Sequence, residues 1–549
     1  MKDQRRAGRF AFFRQLMADG IYCMFGNPGS SEENLLDVLS HEEFKDFKYY
    51  MALHEGPAVA VADAYSRASG KPAVAQLHSY AGLANGLGMM YYAKRGYTPL
   101  VVVAGEAGIK YEAMDGQMAA DLVAMARPFV KSDYNGPCAW RVASSNSLLR
   151  LLRRAVKTAM TPPLGPVFLS LPMDVLEEIN TEEVVPTSLI DCDVSPPVEM
   201  LERAAELLVN AQNPLILIGD GIAAAGASEA LASVAESLGV DVYGVNNSEV
   251  NMPASHPLYK GDTGHMFGED SQKVTLGRDV VLVVGTTLMP EVFPLTENVF
   301  SSDAKLIHFD LNTYEIGKNF PVEIGGMAHP RRALSGLLVE IKKRGGRRGT
   351  MREKAEEEDK SLNDGELSAS LFARELRKYL PDNAVVFDEA LTYSSDIVQF
   401  LDRDKPGRYF QTRAGMLGTG LPGAIGLKMA FPAAVVVGFA GDGGAISTIQ
   451  ALNMAARYQI GAKFVVCNNR SYRILKYNIR RYWKDLGEDP EQSFPPEFDL
   501  TGLDFVKLSE GQGVPAARIE RAEEIEPVLK KAFQAEGPFL IELRLSDRL

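Results

Sequence analysis

The chain has 549 residues, of which 46% are hydrophobic and 23% charged, and it carries a formal net charge of −13. This length is too great for a single core and predicts several domains. The negative charge argues against nucleic acid or an anionic membrane as the main partner. The four cysteines (Cys23, Cys138, Cys192 and Cys467) form no CxxC pair, so neither a disulfide framework nor a zinc site is indicated. No long apolar run or signal peptide is found, and we expect a cytoplasmic setting.

Helical and strand patterns alternate from Phe10 to about Met173, which predicts a parallel sheet. Polar side chains recur where predicted strands end: Ser30, Glu55 and His78. Each has an ordinary structural interpretation, because serine can cap a helix, glutamate can complement a helix dipole and strand-end histidines are often structural. The functional alternative for Glu55 is an acid that exchanges a proton with a bound heterocycle.

Two segments without periodicity interrupt this alternation. Residues 177–200 mix acidic residues with prolines, and residues 342–366 are first basic and then acidic. These linkers predict an α/β fold of three doubly wound parallel-sheet domains, at residues 1–180, 195–343 and 364–549.

The strongest local signal lies in the third of these domains. An apolar run, 433–440, stops at Gly441-Asp442-Gly443-Gly444, and the next apolar run ends at Asn468-Asn469. Ligands of open parallel sheets bind at that edge. A carboxylate and an amide oxygen suit Mg²⁺ that phosphates also hold, and glycines let backbone N–H groups approach those phosphates. The segment therefore predicts an anchor for a metal and a diphosphate.

Two patterns compete with this interpretation. Asp220 and Asn247 have the same separation as Asp442 and Asn469, since 247 − 220 and 469 − 442 both equal 27. Sequence context favours the later pair, because two glycines follow Asp442, whereas Gly221 after Asp220 leads at once into Ile222 and an Ala-rich helix. Residues 418–423 also match G-x-G-x-x-G, which leaves a nicotinamide-dependent dehydrogenase as a disfavoured alternative.

The motifs in order are FGNPGSSEENLL, MALHEGPAVAVADAYSRASG, LHSYAGLANGLG, RAGMLGTGLPGAIG and GDGG through NNRSY. Together they resemble the thiamine diphosphate-dependent 2-keto acid decarboxylase and acetolactate synthase superfamily, in particular its benzoylformate decarboxylase branch. The resemblance implies pyrimidine-binding, central and diphosphate-binding domains. It implies a lyase that decarboxylates a 2-keto acid without oxidation to give an aldehyde, with possible carboligation to 2-hydroxyketones when an aldehyde acceptor is present. An acetolactate synthase-like or 2-hydroxyacyl lyase activity is the alternative.

The same resemblance assigns roles to individual residues. Glu55 would contact N1′ of the aminopyrimidine, Gly415 would accept from the 4′-amino group, and Leu417 would bend the cofactor. Thr392, Gly443 and Gly444 would contact the diphosphate. Mg²⁺ would be held by Asp442, Asn469 and the Ser471 carbonyl. Ser30 and His78 match a pocket serine and one of two pocket histidines.

The chain also departs from that pattern. The position of the second pocket histidine is Val292, with no histidine nearby in the sequence, while Tyr80 and Ile474 replace smaller residues of the substrate pocket. The expected cofactors are thiamine diphosphate and Mg²⁺. FAD, which some relatives carry, is left open but not favoured. The resemblance implies a homodimer as the minimum unit, and a homotetramer is expected.

Overall fold

A computed structural model describes residues 6–346 and 366–547, so most of the second predicted linker lies outside the described residues. The described residues form three six-stranded sheets whose strands pair in parallel, and one short two-stranded hairpin. The first sheet and the third sheet, apart from its strand at residues 409–411, belong to one compact unit, and the second sheet and that strand belong to another. The α/β class with three parallel sheets is confirmed, whereas the predicted domain boundaries stay a prediction.

The first sheet has the strand order β2-β1-β3-β4-β8-β7. Its long apolar strands, such as Leu100–Glu106, are buried along their whole length because helices cover both faces. Its strands are β1 Cys23–Gly26, β2 Lys48–Met51, β3 Ala73–His78, β4 Leu100–Glu106, β7 Ala139–Arg141 and β8 Val167–Pro172, with β5 Ser132–Asp133 and β6 Gly136–Pro137 in the hairpin. Its helices are α1 Gly8–Ala18, α2 Glu33–Val38, α3 Glu55–Ser69, α4 Ser79–Arg95, α5 Leu122–Ala126, α6 Ser145–Met160 and α7 Met173–Glu177.

The second sheet has the order β11-β10-β9-β12-β13-β14. Its strands are β9 Leu215–Ile218, β10 Val242–Gly244, β11 Tyr259–Asp262, β12 Val280–Val284, β13 Lys305–Asp310 and β14 Ile324–Met327. Its helices are α8 Val198–Asn210, α9 Gly221–Ala224, α10 Ser228–Leu238, α11 Gly268–Thr275 and α12 Pro330–Lys343. The aliphatic residues of α8, α10 and α12 pack on the sheet and form one continuous core.

The third sheet has the order β16-β15-β17-β18-β20-β19. Its strands are β15 Val385–Glu389, β16 Tyr409–Gln411, β17 Val436–Gly441, β18 Lys463–Asn468, β19 Ala516–Ile519 and β20 Phe539–Arg544. Its helices are α13 Ala369–Arg377, α14 Ser394–Val398, α15 Gly420–Ala430, α16 Asp442–Ser447, α17 Ala451–Arg457, α18 Arg473–Asp485, α19 Phe505–Gly511 and α20 Ile525–Gln534.

The first and third sheets share one topology. Each has its strands in the order 2-1-3-4-6-5 when they are numbered from its own N-terminus, apart from the hairpin. The corresponding helices α3 and α15 pack together so closely that a Cβ at Gly426 would lie 2.5 Å from the Val61 carbonyl oxygen. In both sheets the second strand lies on one side of the first strand, whereas the third and fourth strands lie on its other side. Ligands of such sheets bind beyond the carboxyl ends of the first and third strands, where the strand order reverses. The sites predicted from sequence follow these strands: His78 ends β3, Thr392 follows β15 and Asp442 follows β17.

Candidate active site

Glu55 is the first residue of α3 and its side chain is buried. Its Oε1 accepts a hydrogen bond from Asn27 Nδ2 at 3.1 Å, and its Oε2 accepts one from Asn85 Nδ2 at 3.0 Å. A Cβ at Gly82 would lie 2.8 Å from Oε1, so only glycine lets α4 approach this carboxyl group. Among the described residues the side chains that donate to this carboxyl are neutral amides, and a buried charge without a cation is costly. Glu55 is therefore suited to share a proton with a bound base.

His78, at the carboxyl end of β3, is held from one side by a buried acid. Its Nδ1 lies 2.9 Å from Glu32 Oε2 and 3.0 Å from Ser31 Oγ. Glu32 also accepts the backbone N–H groups of Gly29 and Gly105, each at 2.9 Å. Burial raises the pKa of Glu32, while these hydrogen bonds lower it. A carboxylate at Nδ1 places the imidazole proton there and leaves Nε2 to act on a ligand.

Ser30 and Tyr80, the other predicted pocket residues of this sheet, are exposed. The structure brings Ser31, not Ser30, into contact with His78. Ser30 begins a short 3₁₀ turn directly after Gly29, and Gly29 packs against the His78 ring. Tyr80 lies in the first turn of α4 and is 41% exposed. Tyr80 lies two positions after His78 in the chain and Ser30 directly precedes Ser31, so their predicted role as pocket residues stays open.

Asp442, Asn469 and Ser471 converge at the ends of β17 and β18. The Ser471 N–H lies 2.9 Å from Asn469 Oδ1 and 3.2 Å from Asp442 Oδ2, and Asp442 Oδ1 accepts the Gly443 N–H at 2.8 Å. All three polar residues are buried. Burial raises the pKa of Asp442, and hydrogen bonds from backbone N–H groups oppose that rise. Within the described ranges no basic side chain forms an ion pair with Asp442, so a divalent cation fits this carboxylate.

The described residues contain no cluster of three or more His, Cys, Asp and Glu side chains that could hold a metal. A cation at Asp442 would therefore draw its other ligands from amide, carbonyl and phosphate oxygens. That is the ligand set Mg²⁺ uses when a cofactor's phosphates share it.

Glu389, the last residue of β15, is fully buried and faces the segment that contains the predicted cofactor contacts. Its two carboxyl oxygens accept the backbone N–H groups of Gly418 and Gly420, at 2.5 Å each. A Cβ at Gly444 would lie 2.7 Å from Oε1. Burial raises the pKa of Glu389 to about 7 against the opposing hydrogen bonds. Glu389 therefore joins the loop before α15 to the glycine turn after β17.

Four non-glycine residues with left-handed backbone adjoin predicted site residues. Positive φ values of this kind cost free energy in L-residues and are concentrated at functional sites. They are Ser79 (φ 47°) after His78, Leu391 (φ 52°) before Thr392, Ala414 (φ 56°) before Gly415, and Arg470 (φ 60°) between Asn469 and Ser471. The surrounding structure holds each predicted site segment in a strained conformation.

The remaining predicted residues lie in loops and helix starts. Thr392 is half-buried in a 3₁₀ turn, and Gly415 has a φ of 67° that favours glycine. Leu417 is 36% exposed on the same loop, although it is a large apolar side chain. Ile474 lies in the first turn of α18. Val292 belongs to the other compact unit, in the loop after β12, and is 51% exposed.

The structure explains both competing motifs. The Asp220 carboxylate accepts the N–H groups of Ser248 and Glu249, at 2.9 and 3.1 Å, and Asn251 Nδ2 at 3.1 Å, so it ties the end of β9 to the loop after β10. In the G-x-G-x-x-G segment, the N–H groups that would approach a dinucleotide pyrophosphate are already taken up by Glu389. That segment also follows a loop instead of a strand. The dehydrogenase alternative loses its structural basis.

Comparison with known protein families assigns all three parts of the chain. Models of the thiamine pyrophosphate enzyme N-terminal TPP binding domain, central domain and C-terminal TPP binding domain match residues 6–125, 201–337 and 392–543. The chain belongs to the thiamine pyrophosphate enzymes. This thiamine pyrophosphate enzyme is 29% identical to benzoylformate decarboxylase of Pseudomonas aeruginosa, over 97% of the chain and 98% of the relative. It is 26% identical to acetolactate synthase of Arthrospira platensis, over 100% of the chain and 96% of the relative.

A solved structure supports the same assignment. The thiamine diphosphate-dependent 4-hydroxybenzoylformate decarboxylase of Rhodococcus jostii RHA1 superposes with a TM-score of 0.88 at 28% identity, over 98% of this chain and 99% of that one. This thiamine pyrophosphate enzyme is thus a member of the 2-keto acid decarboxylase and acetolactate synthase family. None of its described helices is long and apolar enough to cross a membrane.

Sequence reasoning missed two acids and two amides of this region. Glu32, Glu389 and the Asn27–Asn85 pair carry no motif of their own, and each acts through a partner distant in sequence. One signal was available for Glu389, because an acid that ends an apolar strand points to the ligand edge of a parallel sheet. Glu32 offered no such signal, since an acid at the start of a helix is usually solvated.

Proposed function

We propose that the chain catalyses the non-oxidative decarboxylation of a 2-keto acid of the benzoylformate type to an aldehyde, with thiamine diphosphate and Mg²⁺ as cofactors. The observation that carries this proposal is the Glu32–His78 pair at the ligand edge of the first sheet. Aldehyde formation requires a proton to be delivered after CO2 is lost, whereas carboligation uses a second carbonyl compound instead. A fixed imidazole favours the first outcome.

The residues present fit the cofactor. Bound thiamine diphosphate supplies the electron sink for loss of CO2. Asp442, Asn469 and the Ser471 carbonyl would hold Mg²⁺, while Thr392, Gly443 and Gly444 would face the diphosphate. Buried carboxylate and amide oxygens without a cationic partner support this assignment.

Glu55 would hold a proton at N1′ of the aminopyrimidine, because its carboxyl is buried and accepts hydrogen bonds from the neutral amides of Asn27 and Asn85. The Gly415 carbonyl would orient the 4′-amino group, and Leu417 would support the bend of the cofactor. The exposure of the Leu417 side chain supports this role, since an apolar residue in such a loop needs a partner to cover it.

His78 would hydrogen-bond the 2-keto acid through Nε2 and move protons to and from it, with Ser30 as a further polar contact. Tyr80, Val292 and Ile474 would line the pocket for the substrate side chain. Because Tyr80 and Ile474 are larger than the family residues that they replace, we expect the preferred side chain to differ from an unsubstituted phenyl group.

We further propose that the active unit is at least a homodimer, as the family architecture implies, and expect a tetramer. Large apolar side chains exposed around the first-sheet ligand edge and α4 support an oligomer, including Leu53, Tyr80 and Tyr91, which are each more than 40% exposed. Light scattering coupled to size exclusion tests this, and a monomer that is fully active would contradict it.

A panel of 2-keto acids tests the proposed reaction. Purified protein with thiamine diphosphate and Mg²⁺ should release CO2 and aldehyde in a ratio of one from at least one arylglyoxylate. An added aldehyde should divert part of the product to a 2-hydroxyketone. Acetolactate formed from pyruvate, without free aldehyde from any panel member, would establish the acetolactate synthase-like alternative. Cleavage of a 2-hydroxyacyl thioester would establish the lyase alternative.

A further inference from the structure

Arg473 has a positive charge that no acid balances within the described part of the chain. It lies in the first turn of α18, and its backbone N–H donates to the Ser471 carbonyl oxygen at 2.8 Å. Nε of its guanidinium is buried and has no hydrogen-bond partner. Among the described residues the side chain forms neither an ion pair nor a hydrogen bond. A buried N–H donor without an acceptor is costly, so this guanidinium is suited to receive an anion.

Two tyrosine rings hold the guanidinium of Arg473. Its Cζ lies 4.9 Å from the ring centroid of Tyr393 and 5.7 Å from that of Tyr477. An arginine that lies over aromatic rings keeps the N–H groups at the edge of its plane available for an anion. Tyr393 is itself buried, and its hydroxyl donates to the Ser546 carbonyl oxygen at 2.9 Å. The cation is thus preorganised, and less conformational freedom is lost when an anion binds to it.

The neighbours of Arg473 identify the kind of anion. Tyr393 directly follows Thr392, the predicted diphosphate contact, and its hydroxyl is hydrogen-bonded to the side chain of Asn469, a predicted Mg²⁺ ligand. All of these residues belong to the same compact unit. A diphosphate and the Asp442 carboxylate together carry more negative charge than one Mg²⁺ neutralises. A further cation beside these residues is therefore favourable.

Two other bases of α18 are already paired with acids. Lys476 Nζ lies 3.0 Å from Asp499 Oδ1, and Arg480 pairs with Glu491. Arg480 follows Arg473 by about two helical turns, so both side chains leave the same face of the helix. Arg480 has the same charge as Arg473 but a partner of its own, which makes it a matched control.

We propose that Arg473 is a further cofactor-binding residue, whose guanidinium N–H groups hold the diphosphate of thiamine diphosphate and balance charge that Mg²⁺ leaves. This inference rests on the proposed function, because it requires that cofactor. The rival anion is the carboxylate of the 2-keto acid, since the next residue, Ile474, is a predicted pocket residue.

Isothermal titration calorimetry at saturating Mg²⁺, on protein from which bound cofactor has been removed, gives the first test. Arg473→Gln should raise the Kd for thiamine diphosphate at least 20-fold, and Arg473→Lys, which keeps the charge, should recover at least threefold of that loss. Inorganic diphosphate should show the same loss with Arg473→Gln, because it has the anion without the two rings. Arg480→Gln should keep both Kd values within twofold of wild type, although it removes the same charge. Circular dichroism shows whether each variant is folded.

Chemical modification of the wild-type protein gives a second readout that needs no substitution. The arginine reagent 2,3-butanedione should modify Arg473, and inorganic diphosphate with Mg²⁺ should slow this modification at least fivefold, as measured by peptide mass spectrometry. The modification rate of Arg480 should not change.

The outcomes separate failure of this inference from failure of the proposed function. If the wild-type protein binds thiamine diphosphate with Mg²⁺ but Arg473→Gln binds it within twofold as tightly, the inference is overturned and the proposed function stands. An unchanged Kd with a KM for the 2-keto acid raised at least 20-fold would assign Arg473 to the substrate carboxylate and would also overturn it. Equal losses in Arg473→Gln and Arg480→Gln would reduce the effect to long-range charge. If the wild-type protein binds no thiamine diphosphate, the proposed function fails and the inference fails with it.

Discussion

Nδ1 of His78 lies 2.9 Å from Oε2 of Glu32, a carboxyl group that is almost completely removed from solvent. The contact joins the end of β3 to the segment after β1. These are the two neighbouring strands at which the strand order of the first sheet reverses. Because Glu32 also accepts two backbone N–H groups, its position is determined by the fold and the orientation of His78 follows from it. This arrangement predicts different effects for substitutions at neighbouring positions.

Glu32→Gln should lower kcat by about 10- to 100-fold, since an amide can no longer act as a charged acceptor for the Nδ1 proton. Ser31→Ala should shift the pH profile of kcat/KM, because Ser31 Oγ also contacts Nδ1. Ser30→Ala should instead raise KM and leave that profile unchanged. The measurement is the full pH–rate profile of each variant, with circular dichroism to show that each is folded. A shifted profile for Ser30→Ala, with none for Ser31→Ala, would contradict the assignment.

Glu55→Gln should lower turnover by several orders of magnitude, because the amide cannot exchange a proton with N1′. The decisive measurement is hydrogen–deuterium exchange at C2 of the bound cofactor, followed by proton NMR. Asn85→Ala is the matched control, since it removes one hydrogen bond to Glu55 while keeping the carboxyl, and its exchange rate should fall much less. Exchange at the wild-type rate in Glu55→Gln would exclude the proposed role of Glu55.

Asp442→Asn and Asn469→Ala should each raise the Kd for Mg²⁺ in the presence of thiamine diphosphate by about 100-fold or more, because each removes an oxygen ligand or its charge. The chain provides its own control in the equally spaced twin. Asp220→Asn alters a carboxylate that accepts hydrogen bonds from the loop after β10 and should leave Mg²⁺ affinity within twofold of wild type. The measurement is isothermal titration calorimetry. Equal losses for Asp220→Asn and Asp442→Asn would refute the choice between the two motifs.

Glu389 should make the folded state less stable as pH rises. Burial raises its pKa to about 7 in the folded chain, from 4.5 in the unfolded chain. Between pH 4.5 and about pH 7 the folded chain therefore binds a proton that the unfolded chain has lost. Its stabilising contribution is fully present below pH 4.5 and is lost as pH rises through about 7. Between pH 5.5 and pH 8 the loss amounts to roughly 2 kcal/mol.

Glu389→Gln should lack this dependence, because glutamine does not titrate. Differential scanning calorimetry of both proteins at pH 5.5 and pH 8 should therefore show the smaller pH-dependent change for the variant. Identical changes for both proteins would mean that Glu389 does not titrate in this range.

The parallel sheets and the convergence of Asp442 with Asn469 were predictable from sequence, because both depend on local patterns. The apolar run before Asp442 and its glycines lie in one short segment, and Glu55 directly follows a strand pattern. A helical pattern is visible from Ile449 and corresponds to α17, whereas the short helix α16, which begins at Asp442, was not predicted. Its glycines have weak helix propensity and concealed it.

The residues that orient the chemistry could not be predicted in this way. The contact between Glu32 and His78 depends on the order of the strands, and that between Glu389 and Gly418 depends on the path of a loop. Long-range pairing of this kind leaves no pattern in a single sequence.

The most direct test of the account is a titration of the wild-type protein with thiamine diphosphate, in the presence and absence of Mg²⁺. Calorimetry should show saturable binding that requires Mg²⁺ and is weakened by Asp442→Asn. Binding of NADH with no Mg²⁺-dependent binding of thiamine diphosphate would contradict the account.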